Sequence, residues 1–207
     1  MIYKGIDLSK HNKVTSWDDV KNKNKIDFVI LRAGGHFGRF YKDPKFETYY
    51  NACKVYNIPV GAYYDCGKEF ITAEFGKECA QHFMNLLSGK VLEMPVFMDI
   101  EVTPKRFKKQ ITDAAVSFCR ALEANNYFVG IYASDISGFK ESLEYDRITM
   151  FTKWVARYGK EPSYVKSWNI WQMQSDGIVC GIEGSVDLDA TNTNYPFIMK
   201  RGHFNGN

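Results

Sequence analysis

The sequence predicts an α/β protein, an irregular TIM-like barrel made of five βα units and then three bare strands, (β/α)5(β)3. Three observations carry that reading. Up to about residue 145, apolar strand-like runs alternate with helix-like stretches at intervals of roughly 30 residues, as right-handed βαβ units on a parallel sheet require. Beyond it, the runs at Trp154-Val155-Ala156, Asn169-Ile170-Trp171-Gln172 and Ser185-Val186-Asp187-Leu188 are separated by segments too short or too rich in Gly, Pro and Ser for packed helices. The strands total eight, the number that closes a small barrel filled by its own side chains.

Taken in order, Ile2 to Ser9 reads as a first strand, followed by a short helix with Ser16 as N-cap and Asp18 and Asp19 in its first turn. Phe28 to Ala33 is a second strand, and Gly34-Gly35-His36-Phe37-Gly38 reads as a loop. Asp43-Pro44 opens a helix in the cap-then-proline pattern, running to about Asn57. Pro59 to Asp65 is the third strand, and residues 72–87 form a helix with Phe75, Cys79, His82, Phe83 and Leu86 along one side. The run Met94-Pro95-Val96-Phe97-Met98-Asp99-Ile100-Glu101 is the fourth strand. Thr103-Pro104 begins a helical region whose stripe is Ile111, Ala114, Ala115, Phe118 and Leu122. Phe128 to Tyr132 is strand five, with a short helix near residues 134–143. The expected organisation is one domain over residues 1–195 and a C-terminal tail, 196–207, packed at first and then loose.

Composition narrows the classes. The chain has 207 residues, 45% hydrophobic and 25% charged, as in a globular protein with a substantial core. No apolar run approaches the roughly 18 residues needed to cross a bilayer, and the sequence runs from Met1 straight into Ile-Tyr-Lys-Gly-Ile-Asp without a secretory h-region. Five cysteines without C-x-x-C spacing argue for reduced thiols rather than a disulfide framework or a zinc site. The four histidines are scattered and make no His-rich metal-ligand set. A net charge of +3, with one basic run at Lys105-Arg106-Phe107-Lys108-Lys109, gives no support for nucleic-acid binding, and no stable membrane association is expected.

The strand ending in Asp99 and Glu101 is the chemical landmark. Side chains alternate along a strand, so Phe97, Asp99 and Glu101 share one face while Val96, Met98 and Ile100 share the other. The two acids sit about 6.6 Å apart along the backbone. Spacing alone proves little, because Glu144/Asp146 and Asp187/Asp189 repeat it; the apolar setting of the first pair is what distinguishes it, against the plainer reading of an ordinary strand end. In such barrels the active site lies at the C-terminal ends of the strands, where Asp7, Asp99, Glu101 and Asp187 all fall. Closing the barrel would make neighbours of Asp7 and Asp187.

Around those acids, Tyr64, Tyr132, Trp154 and Trp171 lie near strand ends where aromatic rings can stack on sugars, although each is also an ordinary core residue by type. Arg32 and Gln172 interrupt apolar strands and suit oriented polar contacts in a cavity. Two carboxylates in a cleft suit glycoside hydrolysis, one protonated to serve the leaving oxygen and one facing the oxocarbenium-like carbon. Glu101, the longer side chain, is the expected acid.

At these residues the chain closely resembles glycoside hydrolase family 25, the N-acetylmuramidase lysozymes of bacteria and phages. The matching segments run nearly end to end: Gly5-Ile6-Asp7-Leu8-Ser9, Leu31-Arg32-Ala33-Gly34-Gly35, Pro59 to Tyr64, Pro95 to Glu101, Gly130-Ile131-Tyr132, Trp154 to Gly159, Trp171-Gln172 and Val186-Asp187-Leu188. The resemblance implies a retaining peptidoglycan hydrolase without metal or cofactor, cleaving the β-1,4 bond between N-acetylmuramic acid and N-acetylglucosamine. It makes Glu101 the general acid/base and Asp99 its partner, either nucleophile or orienter of the substrate acetamido group, with Asp7 and Asp187 as further active-site acids. Asp189 is a weaker, substrate-binding candidate beside Arg32, Tyr64, Tyr132, Trp154 and Gln172. The expected partner is bacterial peptidoglycan and the expected state a monomer. It would act on the wall after release from the cytoplasm in phage lysis, or as a fragment of a secreted wall hydrolase. The competing reading is a catalytically silent carbohydrate-binding barrel.

Overall fold

A computed structural model describes residues 1–101 and 105–207. Its strands and helices are β1 (Tyr3–Leu8), β2 (Lys13–Val14), β3 (Phe28–His36), β4 (Phe40–Lys42), α1 (Phe46–Val55), β5 (Val60–Asp65), α2 (Ala73–Leu87), β6 (Val96–Asp99), α3 (Lys108–Glu123), β7 (Val129–Ser134), β8 (Thr152–Ala156), β9 (Ile170–Gly177), β10 (Ile182–Glu183), β11 (Val186–Thr191) and α4 (Tyr195–Gly202). The main sheet runs β1-β11-β9-β8-β7-β6-β5-β3 and closes on itself through parallel pairing of β1 with β3, so eight strands form a barrel. Seven are mutually parallel; β11 runs antiparallel to both β9 and β1. The eight strands are the eight expected from the sequence.

Strand parity sorts the side chains into two cores. Outward-facing Val29, Leu31, Val60, Tyr64, Val96, Met98 and Ile131 pack beneath the helices, with Phe83 of α2 and Phe118 of α3 stacked at 6.0 Å between centroids. Inward-facing Phe28, Ile30, Tyr63, Phe97, Tyr132, Trp154 and Ile170 fill the barrel. The filling alternates large with small: a Cβ on Gly5 would fall 2.2 Å from the Phe28 ring and one on Gly130 would fall 2.5 Å from the Phe97 ring. Glycine at those two positions is therefore what admits two phenylalanines to a narrow interior.

Helix starts follow their caps. Thr72 accepts a hydrogen bond from the Phe75 N–H at 3.1 Å at the head of α2, and Ser16 takes the Asp19 N–H at 3.2 Å. The segment after Ser16 is helical over 17–23, π-type from Asp19 to Lys23, and the one after β7 is a π-type helix, Asp135–Lys140, so both short helices fall where they were expected. The expected capping at Thr103-Pro104 lies outside the described residues; α3 itself buries Ile111, Ala114, Ala115, Phe118 and Leu122 as the stripe requires.

Two expectations are corrected. Residues 34–36 do not form a loop: β3 continues through His36 and pairs antiparallel with β4. Glycine is a poor strand former in isolation, but here its missing side chain is the requirement, because a Cβ on Gly34 would meet the Tyr41 carbonyl at 2.2 Å. Nor is the tail loose. Tyr195 and Met199 of α4 close the bottom of the barrel against Phe28 and Met94, and Asn205 is 1% exposed. Its Oδ1 accepts the Phe128 N–H at 2.8 Å and its Nδ2 donates to the Met94 carbonyl at 2.9 Å.

Asn205 also holds φ +55°, a backbone region asparagine tolerates better than alanine. Asn205→Ala orphans two buried backbone groups and strains a third residue's worth of backbone, so we expect it to lower unfolding stability by about 3 kcal/mol. Urea denaturation followed by far-UV circular dichroism measures this; a loss below about 0.5 kcal/mol would show that the tail contributes nothing to the barrel floor.

Candidate active site

Parity and register together assemble the site. In β6, Asp99 stands inward at the C-terminal end, its Cα paired with Asp65 on one side and Tyr132 on the other. Across the barrel Asp7 pairs with Asp187, and Asp189 pairs with Gly5 and Gln172. Register shifts in the β9–β11 pairing on both sides of Leu188 interrupt the ladder beside these two aspartates. Glu101 follows β6 and stands exposed at the rim. Six acids, Asp7, Asp65, Asp99, Glu101, Asp187 and Asp189, thus converge on one end of a closed barrel.

Hydrogen bonds fix the surroundings of each acid. Gln172, 2% exposed, donates from Nε2 to Asp7 Oδ2 at 2.7 Å. Its Oε1 accepts the hydroxyls of Tyr132 at 2.8 Å and Tyr158 at 3.2 Å. The Tyr132 oxygen also lies 3.2 Å from Glu101 Oε1. Trp154 donates from Nε1 to Asp189 Oδ1 at 2.7 Å, while Asp189 Oδ2 and Asp99 Oδ1 are buried without a hydrogen-bond partner. Tyr41 donates to Asp65 Oδ2 at 3.0 Å. Arg32 is held by Asp43, whose Oδ2 accepts its Nε–H at 2.8 Å; this leaves Arg32 Nη2 buried and unpartnered.

Burial and mutual repulsion raise the proton affinity of the whole set. Desolvation, then the neighbouring charges of Asp189 and Asp187, pushes Asp7 well above the usual carboxylate range, against the Gln172 hydrogen bond that opposes it. Asp99 is pushed the same way by desolvation, then by Glu101 and Asp65, with Arg32 opposing. Glu101 is raised by desolvation and Asp65, with the Tyr132 hydrogen bond opposing. Asp187 rises to about 6, mostly through desolvation and then through Glu101. Asp189 is raised chiefly by desolvation. A cluster of this kind binds protons more tightly than free carboxylates do, which suits proton donation to a leaving group.

The residues expected from sequence divide into three groups. Asp7, Asp99, Glu101, Asp187, Asp189, Tyr132 and Gln172 come together, with Arg32 beside Asp99. Tyr132, Trp154, Gln172 and Asp189 are nearly closed off from solvent, so they support the acids from below rather than offering open sugar platforms; the Trp154 ring packs on Tyr132 at 4.4 Å and on Phe97 at 5.3 Å. Tyr64 is a correction. It points outward, fully buried against Phe83 and Phe118, with its hydroxyl 3.1 Å from His82 Nδ1. Its neighbour Tyr63 is the inward one, near Asp7, Arg32, Asp99 and Asp65. Trp171, half-buried, gives its Nε1–H to the Arg157 carbonyl at 2.7 Å.

Asp65, Tyr63, Tyr158 and the Arg32 anchor Asp43 were missed. The signal for two of them was parity: Asp65 ends its strand, and the residue two before it, Tyr63, must share its face. Two open clefts flank the acids. One, of about 350 Å³, is lined by Glu101, Ser134, Ser137, Arg157 and Tyr158; the other, of about 460 Å³, by Arg32, Asp65, Tyr41, Lys10 and Arg39. The acids lie between two spaces able to take residues on either side of a bond to be broken.

A parallel-type barrel with paired carboxyls at the C-terminal end of β6, between two open clefts, defines a glycosidase-like active site. The chain belongs to glycosyl hydrolases family 25, whose family model matches residues 6–182. It is 28% identical over 187 residues to the autolytic lysozyme of Clostridium acetobutylicum, covering 90% of this chain and 55% of that protein. The CTP1L endolysin has a similar fold, with TM-score 0.81 and 24% identity, covering 96% of this chain and 70% of that one. The lysozyme of Streptomyces coelicolor gives TM-score 0.77 at 23% identity, with 92% of each chain covered. The autolysin LytC of Streptococcus pneumoniae, solved with a synthetic peptidoglycan ligand, gives TM-score 0.78 at 22% identity over 91% of this chain and 46% of its own. This chain therefore spans about half the length of the autolytic lysozyme and of LytC. Among the described residues no group of His, Cys, Asp and Glu is arranged to hold a metal ion, and no helix is long and apolar enough to cross a membrane.

The acid cluster sets a stability prediction. Asp187 is pushed up to about 6, above the usual aspartate value of 3.8, so between those pH values the folded protein binds more protons than the unfolded chain. Stability on this account is full below about pH 4 and falls as pH rises through about 6. Asp187→Asn removes the effect: it should be more stable than wild type at pH 7 by about 1 kcal/mol, after discounting for solvent screening of a half-buried carboxyl, and no more stable at pH 4. Thermal melts at the two pH values check this, and equal shifts at both would contradict it.

Proposed function

We propose that this chain is the catalytic domain of a peptidoglycan hydrolase, a muramidase cleaving the β-1,4 bond between N-acetylmuramic acid and N-acetylglucosamine with net retention. The observation that carries the reading is Glu101: an acid at the open rim, two residues beyond the inward-facing Asp99, with raised proton affinity and a hydroxyl partner in Tyr132. Relatives described as autolytic lysozyme, endolysin and spore cortex lytic enzyme support wall glycan as the substrate class.

In this mechanism Glu101 donates its proton to the glycosidic oxygen as the bond to the anomeric carbon breaks. Asp99, with its partnerless Oδ1, faces the developing positive charge, either attacking the carbon or orienting the acetamido group that does. Water then enters from the vacated side, Glu101 takes its proton, and two inversions give retention. Asp7, Asp187 and Asp189 line the back of the site with carboxyl oxygens, which favours an oxocarbenium-like carbon electrostatically. Arg32, fixed by Asp43, limits how far Asp99 can be neutralised by protonation.

Glu101→Gln should lower hydrolysis of purified peptidoglycan by at least about 10³-fold while leaving the fold intact, and Asp99→Asn should cost about 10²-fold or more. Reducing-end analysis by mass spectrometry should find muramic acid at new termini with wild type only, and proton NMR of the first product should show the β anomer. Retained turnover in Glu101→Gln would overturn the assignment. A folded wild-type protein that binds walls but releases nothing from several wall types would favour the silent binding barrel instead.

A further inference from the structure

We infer that the Tyr132 hydroxyl is a two-position proton rotor that follows the charge on Glu101, and that Gln172 is the positioning residue that holds its resting position. The inference rests on the muramidase reading and deepens it. Tyr132 has one proton and two acceptors in reach: Gln172 Oε1 at 2.8 Å and Glu101 Oε1 at 3.2 Å. A hydroxyl donates one hydrogen bond at a time. When it donates to Gln172, the Glu101 contact is a hydrogen bond only if Glu101 carries its own proton and donates to the tyrosine oxygen. Once Glu101 has lost that proton, the carboxylate is the stronger acceptor and the tyrosine O–H turns to it.

Both positions keep Tyr132, Gln172 and Glu101 hydrogen-bonded. Gln172 Oε1 keeps the Tyr158 hydroxyl at 3.2 Å when Tyr132 turns away, and Gln172 Nε2 stays on Asp7 at 2.7 Å in both, so the amide cannot swing. No covalent bond changes in the tyrosine. The Glu101 proton goes to the leaving oxygen, the Tyr132 proton rotates toward the new carboxylate, and when water returns a proton to Glu101 the rotor swings back. A retaining glycosidase needs one carboxyl to be acid and then base in a single turnover. A donor that turns to the carboxylate as it forms eases loss of the proton, and its return to Gln172 leaves the carboxyl free to take a proton back.

The charges facing Glu101 come from several strands, Asp99 of β6, Asp65 of β5 and Asp187 of β11, with Tyr158 after β8, while Asp7 of β1 and Asp99 face Tyr132. Arg32 of β3 acts on Asp99. Any effect of Gln172 must be separated from an effect through Asp7, which it also touches.

Two single variants and their combination do this. In Gln172→Met the rotor has only Glu101 left, so the ionised form gains; the basic limb of kcat/KM against pH should move down by about one unit. In Tyr132→Phe the ionised form loses its donor and the limb should move up. In the double variant the limb should match Tyr132→Phe alone, because Gln172 then has no rotor to hold. A downward shift of equal size in the Tyr132→Phe background would place the effect on Asp7 and overturn the rotor, as would an unmoved limb in Gln172→Met. Difference infrared titration of the Glu101 carboxyl, assigned with Glu101→Gln, reads the same shifts without turnover, so loss of the rotor and absence of muramidase activity are told apart. Near-UV circular dichroism of each variant confirms an intact barrel.

Discussion

Negative charge crowded into one end of a closed barrel is the constraint on which the rest of the site depends. Six carboxyl groups from β1, β5, β6, β11 and the segment after β6 meet there, with Arg32 as the cation acting on Asp99. Like charges this close, with little water between them, cannot all stay ionised. Protons are therefore stored in the mouth, and each partner seen around it restricts where. The Asp7 carboxyl is tied by Gln172, Asp189 by Trp154 and Asp65 by Tyr41. Glu101 at the rim is held by the 3.2 Å contact with Tyr132, longer than the bonds to Asp7, Asp189 and Asp65, and it is the one acid of the six that stands exposed. A proton that must leave on demand is best kept where its hold is loosest.

Such a cluster destabilises the protein, so the scaffold beneath it has to be rigid. Closure of β1 on β3 removes both sheet edges, and the interior is filled by rings that interlock at centroid distances of 4.4–5.9 Å around Trp154. Trp154 connects the two halves of that arrangement: its ring belongs to the apolar filling and its N–H to the acid layer above. Gln172 stands one strand over and does the same with polar atoms on both ends. The buried aromatic and amide residues thus hold the carboxyls at fixed positions, where loops alone would let them spread apart and relax the repulsion.

Much of the fold was legible because parallel βα units impose a rhythm that survives in composition, and because caps such as Thr72 and Ser16 act locally. The candidate acids Asp99 and Glu101 were legible because they end an apolar run; Asp187, expected at a strand C-terminus, instead lies near the start of β11, and only the antiparallel direction of that strand brings it to the same end of the barrel beside Asp7. What stayed hidden depends on long-range geometry. The extension of β3 through two glycines is decided by the partner β4, not by local propensity. The choice between adjacent tyrosines at 63 and 64 is decided by strand parity counted from Asp65, and a residue's type says nothing of its parity. Asp43 read as a helix cap, but α1 starts at Phe46 and Asp43 instead closes the turn before it, with Oδ1 on the Lys45 N–H at 2.9 Å; its second oxygen on Arg32 is invisible until β3 lies beside that turn.

Gln172 shows the same limit in its sharpest form, and explains why an amide is needed there. The position touches an acid on one side and two hydroxyls on the other. A glutamate would accept both hydroxyls but would face Asp7 with a seventh negative charge. A hydrocarbon would leave the Asp7 oxygen and the Tyr158 hydroxyl without this partner and Tyr132 with Glu101 alone. Only a group that donates at one end and accepts at the other, with no net charge, joins β1 to β7 across the acid layer. The sequence marks the residue as a polar interruption of an apolar strand; its meaning comes from the closure that brings residues 7 and 172 within 2.7 Å.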